Sequence, residues 1–234
     1  MKNLVFLLLI ICSNIFAQTN KRILFDSLKT YHYNAIYINK EGDTISNEEL
    51  ILKPTGKVWD SDKSQDLVIY NYTPNESVLS QFKDLSSRKD KKFQFYGPIG
   101  YSTGLIETDS LIWIHPFRMY QYQLTEVAPF PEVKINKLKV GSTWTGGSRI
   151  LFWGKFSGRM KYKYQVLETL PYKFKNLQLT DCWHLKGIGK HQKLGESTID
   201  YYFQKQFGFL VMSYEFYNGN KIILTLERIE TMTK

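Results

Sequence analysis

Apolar and polar residues alternate strictly over residues 159–166, in the second half of the chain. The apolar positions are Met160, Tyr162, Tyr164 and Val166, and the polar positions are Arg159, Lys161, Lys163 and Gln165. A β-strand turns successive side chains to opposite faces, so a period of two predicts a strand with one face in a core and one in water. We therefore expect Tyr162 and Tyr164 to be enclosed and the two lysines to be solvated.

The segment before this strand is predicted to be its hairpin partner. It runs from Arg149 to Phe156, and Ser157-Gly158 is a two-residue turn signal. Counting outward from that turn places Trp153 opposite Tyr162 and Leu151 opposite Tyr164. The apolar faces of the two strands then agree, which supports the hairpin.

The last hairpin is predicted to turn through a bulge at residues 217–219. Alternating apolar residues precede and follow Asn218-Gly219, and a two-residue turn there would mix the two faces. A three-residue loop with Gly219 in the left-handed region keeps the faces together. The pairs it predicts are Met212 with Leu224 and Tyr214 with Ile222.

The remaining chain adds strands and one helix. Strands are predicted at residues 176–187 and 197–205, and in the first half at 33–39, 67–72, 93–96 and 111–115. A helix from Thr73 to Leu85 is expected because Thr73 is a capping residue, Pro74 takes the first helical position and Glu76 follows three residues after the cap. The predicted fold class is mainly β: a strongly curved antiparallel sheet or open half-barrel meander with one short helix. Residues 18–234 are expected to form a single β-rich domain, with a less regular half at 18–140 and an antiparallel meander at 141–234.

The first seventeen residues have the pattern of a secretory signal peptide. Lys2 precedes an apolar run from Leu4 to Cys12, and Ala17 is a small residue at the expected cleavage point. A lipoprotein signal ending at Cys12 is the competing interpretation, but Ile11 is larger than the residue that normally precedes a lipidated cysteine. We expect export to the periplasm, the outer-membrane periphery or the extracellular space, and no transmembrane segment in the mature chain.

Charge and cysteine content narrow the classes of partner. The formal net charge is +9, and the leader contributes only Lys2. This excess predicts either attraction to an anionic envelope surface or merely a soluble, self-repelling one. Nucleic acid is not expected as a partner of an exported chain without a recognisable binding module. Only Cys182 remains after leader removal, so an intramolecular disulfide is excluded.

One polar cluster is a candidate for chemistry. It comprises Glu107, Asp109, His115 and Arg118, which flank a short predicted strand. Two carboxylates, an imidazole and a guanidinium could perform acid–base work, although a turn at Asp109 and a strand end at Pro116 with solvated charges explain the same pattern. Cys182 and His184 share a strand face, but no closely spaced third ligand completes a metal site. No catalytic residue, metal or cofactor is therefore predicted.

The aromatic content suggests a ligand-binding face. Tyrosine, phenylalanine and tryptophan make up 15% of the chain. They could line a hydrophobic cavity in a curved sheet or fill an ordinary core, and the sequence leaves both possibilities open. The candidate ligand-binding residues are Trp153, Tyr162, Tyr164, Trp183, Tyr201 and Tyr214.

The last part of the chain also carries a set of short motifs. They are Pro129-Phe130-Pro131-Glu132, Val140-Gly141-Ser142-Thr143-Trp144, Tyr201-Tyr202-Phe203, Phe207-Gly208-Phe209-Leu210-Val211, Tyr214-Glu215 and Asn218-Gly219. With these motifs, residues 129–226 resemble the DUF3108-like family of exported bacterial β proteins. The resemblance implies a curved half-barrel similar to that of the lipoprotein-carrier proteins and an extracytoplasmic location. It implies no functional residue, because the family has no established catalytic set.

Three functions follow as hypotheses. The leading one is a non-catalytic exported protein of the cell envelope that binds a lipid or another apolar or amphipathic molecule in the concave face of the sheet. The alternative is a structural or interaction module with a filled core that works through its outer surface or a sheet edge. The third, a secreted hydrolase using residues 107–118, requires Glu107, Asp109 and His115 to converge within hydrogen-bond reach.

Overall fold

A computed structural model describes residues 24–73, 100–151 and 154–233. These residues form twelve β-strands and short 3-10 segments. The strands are β1 (Lys29–Ile38), β2 (Thr44–Trp59), β3 (Asp62–Tyr72), β4 (Gly100–Glu107), β5 (Leu111–Ile114), β6 (Glu132–Lys134), β7 (Thr143–Ile150), β8 (Gly158–Phe174), β9 (Leu177–His191), β10 (Gly195–Gln204), β11 (Gly208–Glu215) and β12 (Lys221–Thr231). The 3-10 segments are Tyr120–Val127, Ile135–Lys137 and Gly154–Phe156.

All twelve strands belong to one antiparallel sheet in the order β6-β5-β4-β3-β2-β1-β12-β11-β10-β9-β8-β7. Each strand therefore lies beside its neighbour in sequence, except that β1 pairs with β12 in the middle of the sheet and β6 and β7 become its two edges. The sheet curls into a half-barrel, which confirms the predicted fold class. The connection from β6 to β7 passes from one edge to the other.

The alternating pattern of β8 does set its two faces. Met160, Tyr162 and Tyr164 are buried, whereas Lys161 and Lys163 are exposed. Burial of the aromatic and aliphatic area on one side stabilises the strand in this orientation, because a shift of one residue would exchange the two faces. This result confirms the predicted assignment of faces in β8.

The last hairpin has the predicted bulged turn. Met212 pairs with Leu224 and Tyr214 with Ile222. Gly219 has a φ of 83°, in the left-handed region that favours glycine, and the Phe216 N–H donates to the Asn220 carbonyl at 2.9 Å. The prediction for this hairpin is confirmed in both turn type and register.

The predicted hairpin before β8 is wrong. The partner strand is β7, which ends at Ile150, so Tyr164 lies opposite Trp144 and Tyr162 opposite Gly146. Leu151 is exposed, and the 3-10 segment Gly154–Phe156, in which Phe156 is buried, precedes β8. Trp153, predicted to face Tyr162, lies outside the described residues.

Histidine packing explains why Ser157-Gly158 is not the expected turn. A Cβ at Gly158 would lie 2.5 Å from the ring of His191, so glycine is needed there for the approach of that ring. The His191 Nε2 donates to the Phe156 carbonyl at 3.0 Å, and its Nδ1 accepts from the N–H groups of Lys193 and Leu194. These contacts fix Phe156 and Gly158 against the end of β9, and a local turn signal contains no information about them.

Some predictions fall outside the described part of the chain. The leader, most of the helix predicted from Thr73 to Leu85 and the strand predicted at 93–96 lie there. The strands predicted at 33–39, 67–72, 111–115, 176–187 and 197–205 correspond to parts of β1, β3, β5, β9 and β10. Within 24–73, 100–151 and 154–233, no helix combines the length and the apolar character that crossing a bilayer requires.

Candidate functional site

The concave face of the half-barrel holds a piece of the same chain. Residues 115–131, which we call the crossing segment, connect β5 to β6 and include the 3-10 segment Tyr120–Val127. The segment is largely buried, with Phe117 and Val127 fully enclosed. It has no periodic apolar pattern of its own, so contacts with the sheet must fix its path.

One side of the crossing segment is held by β2 and β3. The Tyr70 hydroxyl donates to the His115 carbonyl at 2.8 Å, and the Tyr70 ring packs against Phe117 with centroids 4.7 Å apart. The Tyr122 hydroxyl, which belongs to the segment, donates to the Glu48 carboxylate on β2 at 3.1 Å. The segment is therefore joined to this arm of the sheet by both hydrogen bonds and ring packing.

The other side is held by β8, β9 and β10. The Tyr164 hydroxyl donates to the Phe130 carbonyl at 3.1 Å, and the Tyr201 hydroxyl donates to the Glu132 carbonyl, at the start of β6, at 2.5 Å. A Cβ at Gly187 would lie 2.9 Å from the Cβ of Pro129. The absence of a side chain on β9 thus admits the proline of the crossing segment against the sheet.

Five of the six predicted ligand-binding aromatics lie along this covered face, and the sixth, Trp153, lies outside the described residues. Four of them, Tyr162, Tyr164, Tyr201 and Tyr214, are buried, and Trp183 is half-buried against the core. Tyr162 packs against Phe130 of the crossing segment at 5.6 Å and shares a hydrogen bond with Ser148 at 2.6 Å. Their role in binding a foreign ligand stays a prediction, because the contacts seen here are with the chain itself.

Tyr214 differs from Tyr162, Tyr164 and Tyr201, the other buried tyrosines in the predicted ligand-binding set. Its ring stacks on Phe216 with centroids 5.7 Å apart, and the residue is only 1% exposed. Its hydroxyl has no hydrogen-bond partner among the residues that the structure describes. A buried hydroxyl left in this state costs on the order of 1–3 kcal/mol.

The predicted polar cluster divides into two parts. Arg118 donates through Nη2 to His115 Nε2 at 3.0 Å and also contacts Tyr101 and Glu126. Glu107 instead accepts from the main-chain N–H groups of Leu24 and Phe25, at 2.8 and 2.7 Å, and Asp109 lies exposed in the turn before β5. The structure thus brings His115 and Arg118 together and holds Glu107 in a different set of contacts.

Electrostatics at His115 and Glu126 follow from burial. Burial, with a smaller effect of the Arg118 charge, lowers the pKa of His115 to about 2. Burial raises the pKa of the Glu126 carboxyl, and the adjacent Arg118 opposes that rise. An efficient general base has a pKa near the working pH, so His115 is poorly matched to proton transfer at neutral pH.

Glu107 has a structural role that sequence reasoning missed. Its carboxylate holds the start of the described chain in place, and the Leu24 and Phe25 side chains are buried. The two partners are 83 and 82 residues away in sequence, so no local pattern could reveal the contact. The carboxylate that appeared available for catalysis instead satisfies two main-chain donors.

Neither a metal site nor a reactive thiol is evident in the described segments. No group of three or more histidine, cysteine, aspartate or glutamate residues among them could hold a metal ion. Cys182 is buried, and burial raises the pKa of its thiol to about 11, which keeps the sulfur protonated and inert at neutral pH. On the outer face, His184 stacks on Tyr202 and contacts Glu168 and Asp200.

An open depression of about 520 Å³ lies where β1, β2 and β12 meet. Its lining contains three carboxylates and two amides, which is the opposite of the apolar lining expected for a lipid. The lining residues are Tyr33, Asn34, Asn47, Glu48, Glu49 and Glu227.

Comparisons with known proteins yield limited similarity. No family model matches the chain, so the resemblance to the DUF3108-like family is not confirmed. No curated protein matches it either. Two solved structures are similar over 89% of this chain, both at 9% identity. One is a Bacteroides fragilis protein described as exported and as having a YmcC-like fold, with 98% of its length covered and a TM-score of 0.43. The other is a Parabacteroides distasonis protein described as a lipoprotein, with 97% covered and a TM-score of 0.42.

Proposed function

We propose that this chain is an exported, non-catalytic protein of the cell envelope that binds a partner on the outside of its half-barrel. The space on the concave face, which we call the trough, is filled by the crossing segment. The observation that carries this proposal is the hydrogen bonding of Tyr70, Tyr164 and Tyr201 to main-chain carbonyls of residues 115–132. It favours the interaction module over the lipid carrier among the functions that the sequence suggested.

The energetics of the tyrosine face support a filled trough. A ligand entering it would have to displace the crossing segment and leave several buried hydroxyls and carbonyls without partners, at about 1–3 kcal/mol each. It would also uncover Phe117 and Val127, which the sheet now encloses. Apolar contact with a ligand must exceed both costs before it can bind.

The proposal that the protein is exported is based on the leader and not on the fold. The basic start, the apolar run from Leu4 to Cys12 and the small Ala17 are the features of a cleaved secretory signal. A mature chain with one buried cysteine is compatible with an oxidising compartment, because no second thiol is available within the chain for a wrong disulfide.

A non-catalytic role is supported by the polar cluster. The hydrolase hypothesis needs Glu107, Asp109 and His115 together, but Glu107 holds Leu24 and Phe25 while His115 contacts Arg118. The low pKa of His115 further weakens its value as a base.

Native mass spectrometry of the mature protein, released from its envelope without detergent, tests the proposal. We expect the mass of the polypeptide alone, and no saturable signal when the purified protein is titrated with the fluorescent fatty acid cis-parinaric acid. One lipid-sized adduct per chain, or saturable one-to-one binding of the probe, would overturn the filled trough.

A lipid-binding trough is the second candidate, and the unpartnered hydroxyl of Tyr214 is the observation that favours it. A ligand headgroup that accepts a hydrogen bond would satisfy this buried donor. If cis-parinaric acid binds, this candidate predicts weaker binding to Tyr214→Phe and unchanged binding to Tyr202→Phe, whose ring lies on the outer face against His184.

A further inference from the structure

Strand β7 is an edge of the sheet with one side unused. Among the described residues its main chain is bonded to no strand other than β8. Most of the strand is solvent-exposed, including Thr145, Gly146, Gly147 and Arg149. An edge strand presents a row of main-chain donors and acceptors to which an extended chain can add.

The register shows which β7 groups face outward. The Val166 N–H donates to the Ser142 carbonyl, and the Gln192 N–H donates to the Arg159 carbonyl on the other side of β8. In an antiparallel ladder these directions alternate, so the even-numbered residues of β7 bond to β8. The N–H and C=O groups of Thr143, Thr145, Gly147 and Arg149 therefore point away from the sheet.

Two of the usual protections against strand addition, proline and a β-bulge, are missing from this edge. Its eight residues contain no proline, and its pairing with β8 contains no bulge. A Cβ at Gly147 would lie 2.7 Å from the Met160 carbonyl, whereas a Cβ at Gly146 would meet nothing nearer than Tyr162 at 3.8 Å. Contacts among the described residues thus account for Gly147 but not for Gly146, and glycine within a strand often marks close approach by another backbone.

The opposite edge is protected. Strand β6 has three residues, follows Pro131, and has Val133 fully buried. Its Glu132 carbonyl accepts the hydroxyl of Tyr201. The availability of β7 is therefore a property of that edge and not of the whole sheet.

A basic surface adjoins β7 on the convex face. It consists of Arg149, Arg159, Lys161, Lys163 and Lys190, which we call the basic face. All five side chains are exposed, and the register places Arg149 opposite Arg159, and Lys161 between Gly147 and Lys190. Among the described residues none of the five forms an ion pair, including Lys190 with Glu196, its neighbour on β10. The surface therefore carries a local positive charge that no described residue neutralises by an ion pair.

The positive charge of the basic face favours one of three possible occupants of the β7 edge. Pairing of β7 with β7 of a second copy would place two basic faces side by side, which like-charge repulsion opposes. An anionic bilayer would satisfy the cations but leave the outward main-chain groups of β7 unpaired. An extended acidic polypeptide satisfies both, because its main chain pairs with β7 while its carboxylates face the lysines.

We propose that β7 is a docking edge for an extended acidic segment of a partner protein, which adds as a further strand and places its carboxylates against the basic face. This inference rests on the proposed function, since it specifies the outer surface that binds. An added strand lies about 10 Å from β8, a separation that the side chains of glutamate and Lys163 span together. The recognised pattern alternates acidic residues with small or apolar ones, the latter on the side of Trp144 and Ile150.

The test uses the mature protein and an end-capped octapeptide of alternating glutamate and valine, labelled for fluorescence anisotropy. The matched control is the peptide with lysine in place of glutamate. We expect saturable binding of the glutamate peptide that weakens with added salt, and no binding of the lysine peptide.

Two pairs of variants separate main-chain pairing from charge. Thr145→Pro removes an outward N–H without removing a bond to β8, and Thr145→Val keeps that N–H. We expect the proline variant to bind the glutamate peptide about five- to tenfold more weakly, the effect of one lost main-chain hydrogen bond, and the valine variant to bind normally. Lys161→Glu with Lys163→Glu should transfer the preference to the lysine peptide, whereas Lys173→Glu, farther along β8, should not.

Three results would overturn the docking edge. Binding of the double glutamate variant to itself, with no binding of the acidic peptide to the wild type, would mean that the basic face only prevents self-association. Binding to phosphatidylglycerol vesicles that depends on Lys161 and Lys163 but not on Thr145→Pro would identify a membrane surface. Equal effects of proline and valine at position 145 would exclude strand addition. None of these three results changes what native mass spectrometry shows about a lipid in the trough. Failure of the docking edge can therefore be distinguished from failure of the proposed function.

Discussion

The two faces of β8 use the same alternating sequence for different purposes. On the concave face, Tyr162 and Tyr164 are buried against the crossing segment, and their hydroxyls bond to Ser148 and to the Phe130 carbonyl. On the convex face, Lys161 and Lys163 are exposed, and neither forms an ion pair within the described part of the chain. The comparison shows that the two aromatic side chains pack within the protein, whereas the lysines that alternate with them face the solvent.

The largest expected loss of stability comes from a substitution on the concave face. Tyr164→Ala removes a buried ring that stacks on Trp144 and bonds to the crossing segment, so we expect the free energy of unfolding to fall by about 3–5 kcal/mol. Urea unfolding followed by circular dichroism measures it. A loss below about 1 kcal/mol would show that the segment does not depend on this face.

Acid should weaken the same covered region. Because the folded pKa of His115 is about 2 and its ordinary value is 6.5, the unfolded chain binds the extra proton between these values. Stability is therefore fully present above about pH 6.5 and falls by about 1.4 kcal/mol for each unit below it. Unfolding free energies of the wild type and of His115→Gln, measured from pH 7 to 4, isolate this contribution. Parallel curves for the two proteins would contradict the assignment.

Neighbouring tyrosines of β10 sharpen the comparison. Tyr201→Phe removes the hydroxyl that donates to the Glu132 carbonyl, and we expect a loss of about 1–2 kcal/mol. Tyr202→Phe, on the outer face, is the matched control and should change stability by less than about 0.5 kcal/mol. Equal losses in thermal or urea unfolding would remove the distinction between the faces.

The smallest effect is expected on the convex face. Lys161→Ala combined with Lys163→Ala should leave the free energy of unfolding within about 0.5 kcal/mol of the wild type, because exposed unpaired charges contribute little to stability. Differential scanning calorimetry at low and moderate salt tests this. A marked stabilisation that disappears with salt would reveal stronger repulsion within the basic face than we infer.

The local sequence pattern correctly predicted the features that short-range interactions determine. The period of two in β8 gave its faces, and the bulged turn at Gly219 gave the register that turns Tyr214 inward. The hairpin of β7 was missed because His191, from β9, requires Gly158 for packing. In such cases a distant side chain, and not the turn signal, determines the local conformation.

The structure of the candidate site depends more strongly than that of the hairpins on contacts between residues far apart in sequence. The Phe130 and Glu132 carbonyls are 34 and 69 residues from the tyrosines that donate to them, so the sequence could not distinguish a filled trough from a hollow one. His115 and Arg118, which are three residues apart, are in contact. Glu107 instead accepts a hydrogen bond from the Leu24 N–H. The basic face was hidden because Lys190 reaches Lys161 only through the pairing of β8 with β9.

Amide hydrogen exchange of residues 117–134, with and without oleate, tests the filled trough most directly. If the crossing segment is a permanent part of the core, its hydrogen-bonded amides, such as those of Tyr122 and Ala128, will exchange about as slowly as the amides of β8, and oleate will not change their rates. Rapid exchange throughout the segment, or exchange that oleate accelerates, would show that the segment leaves the trough and would contradict the account.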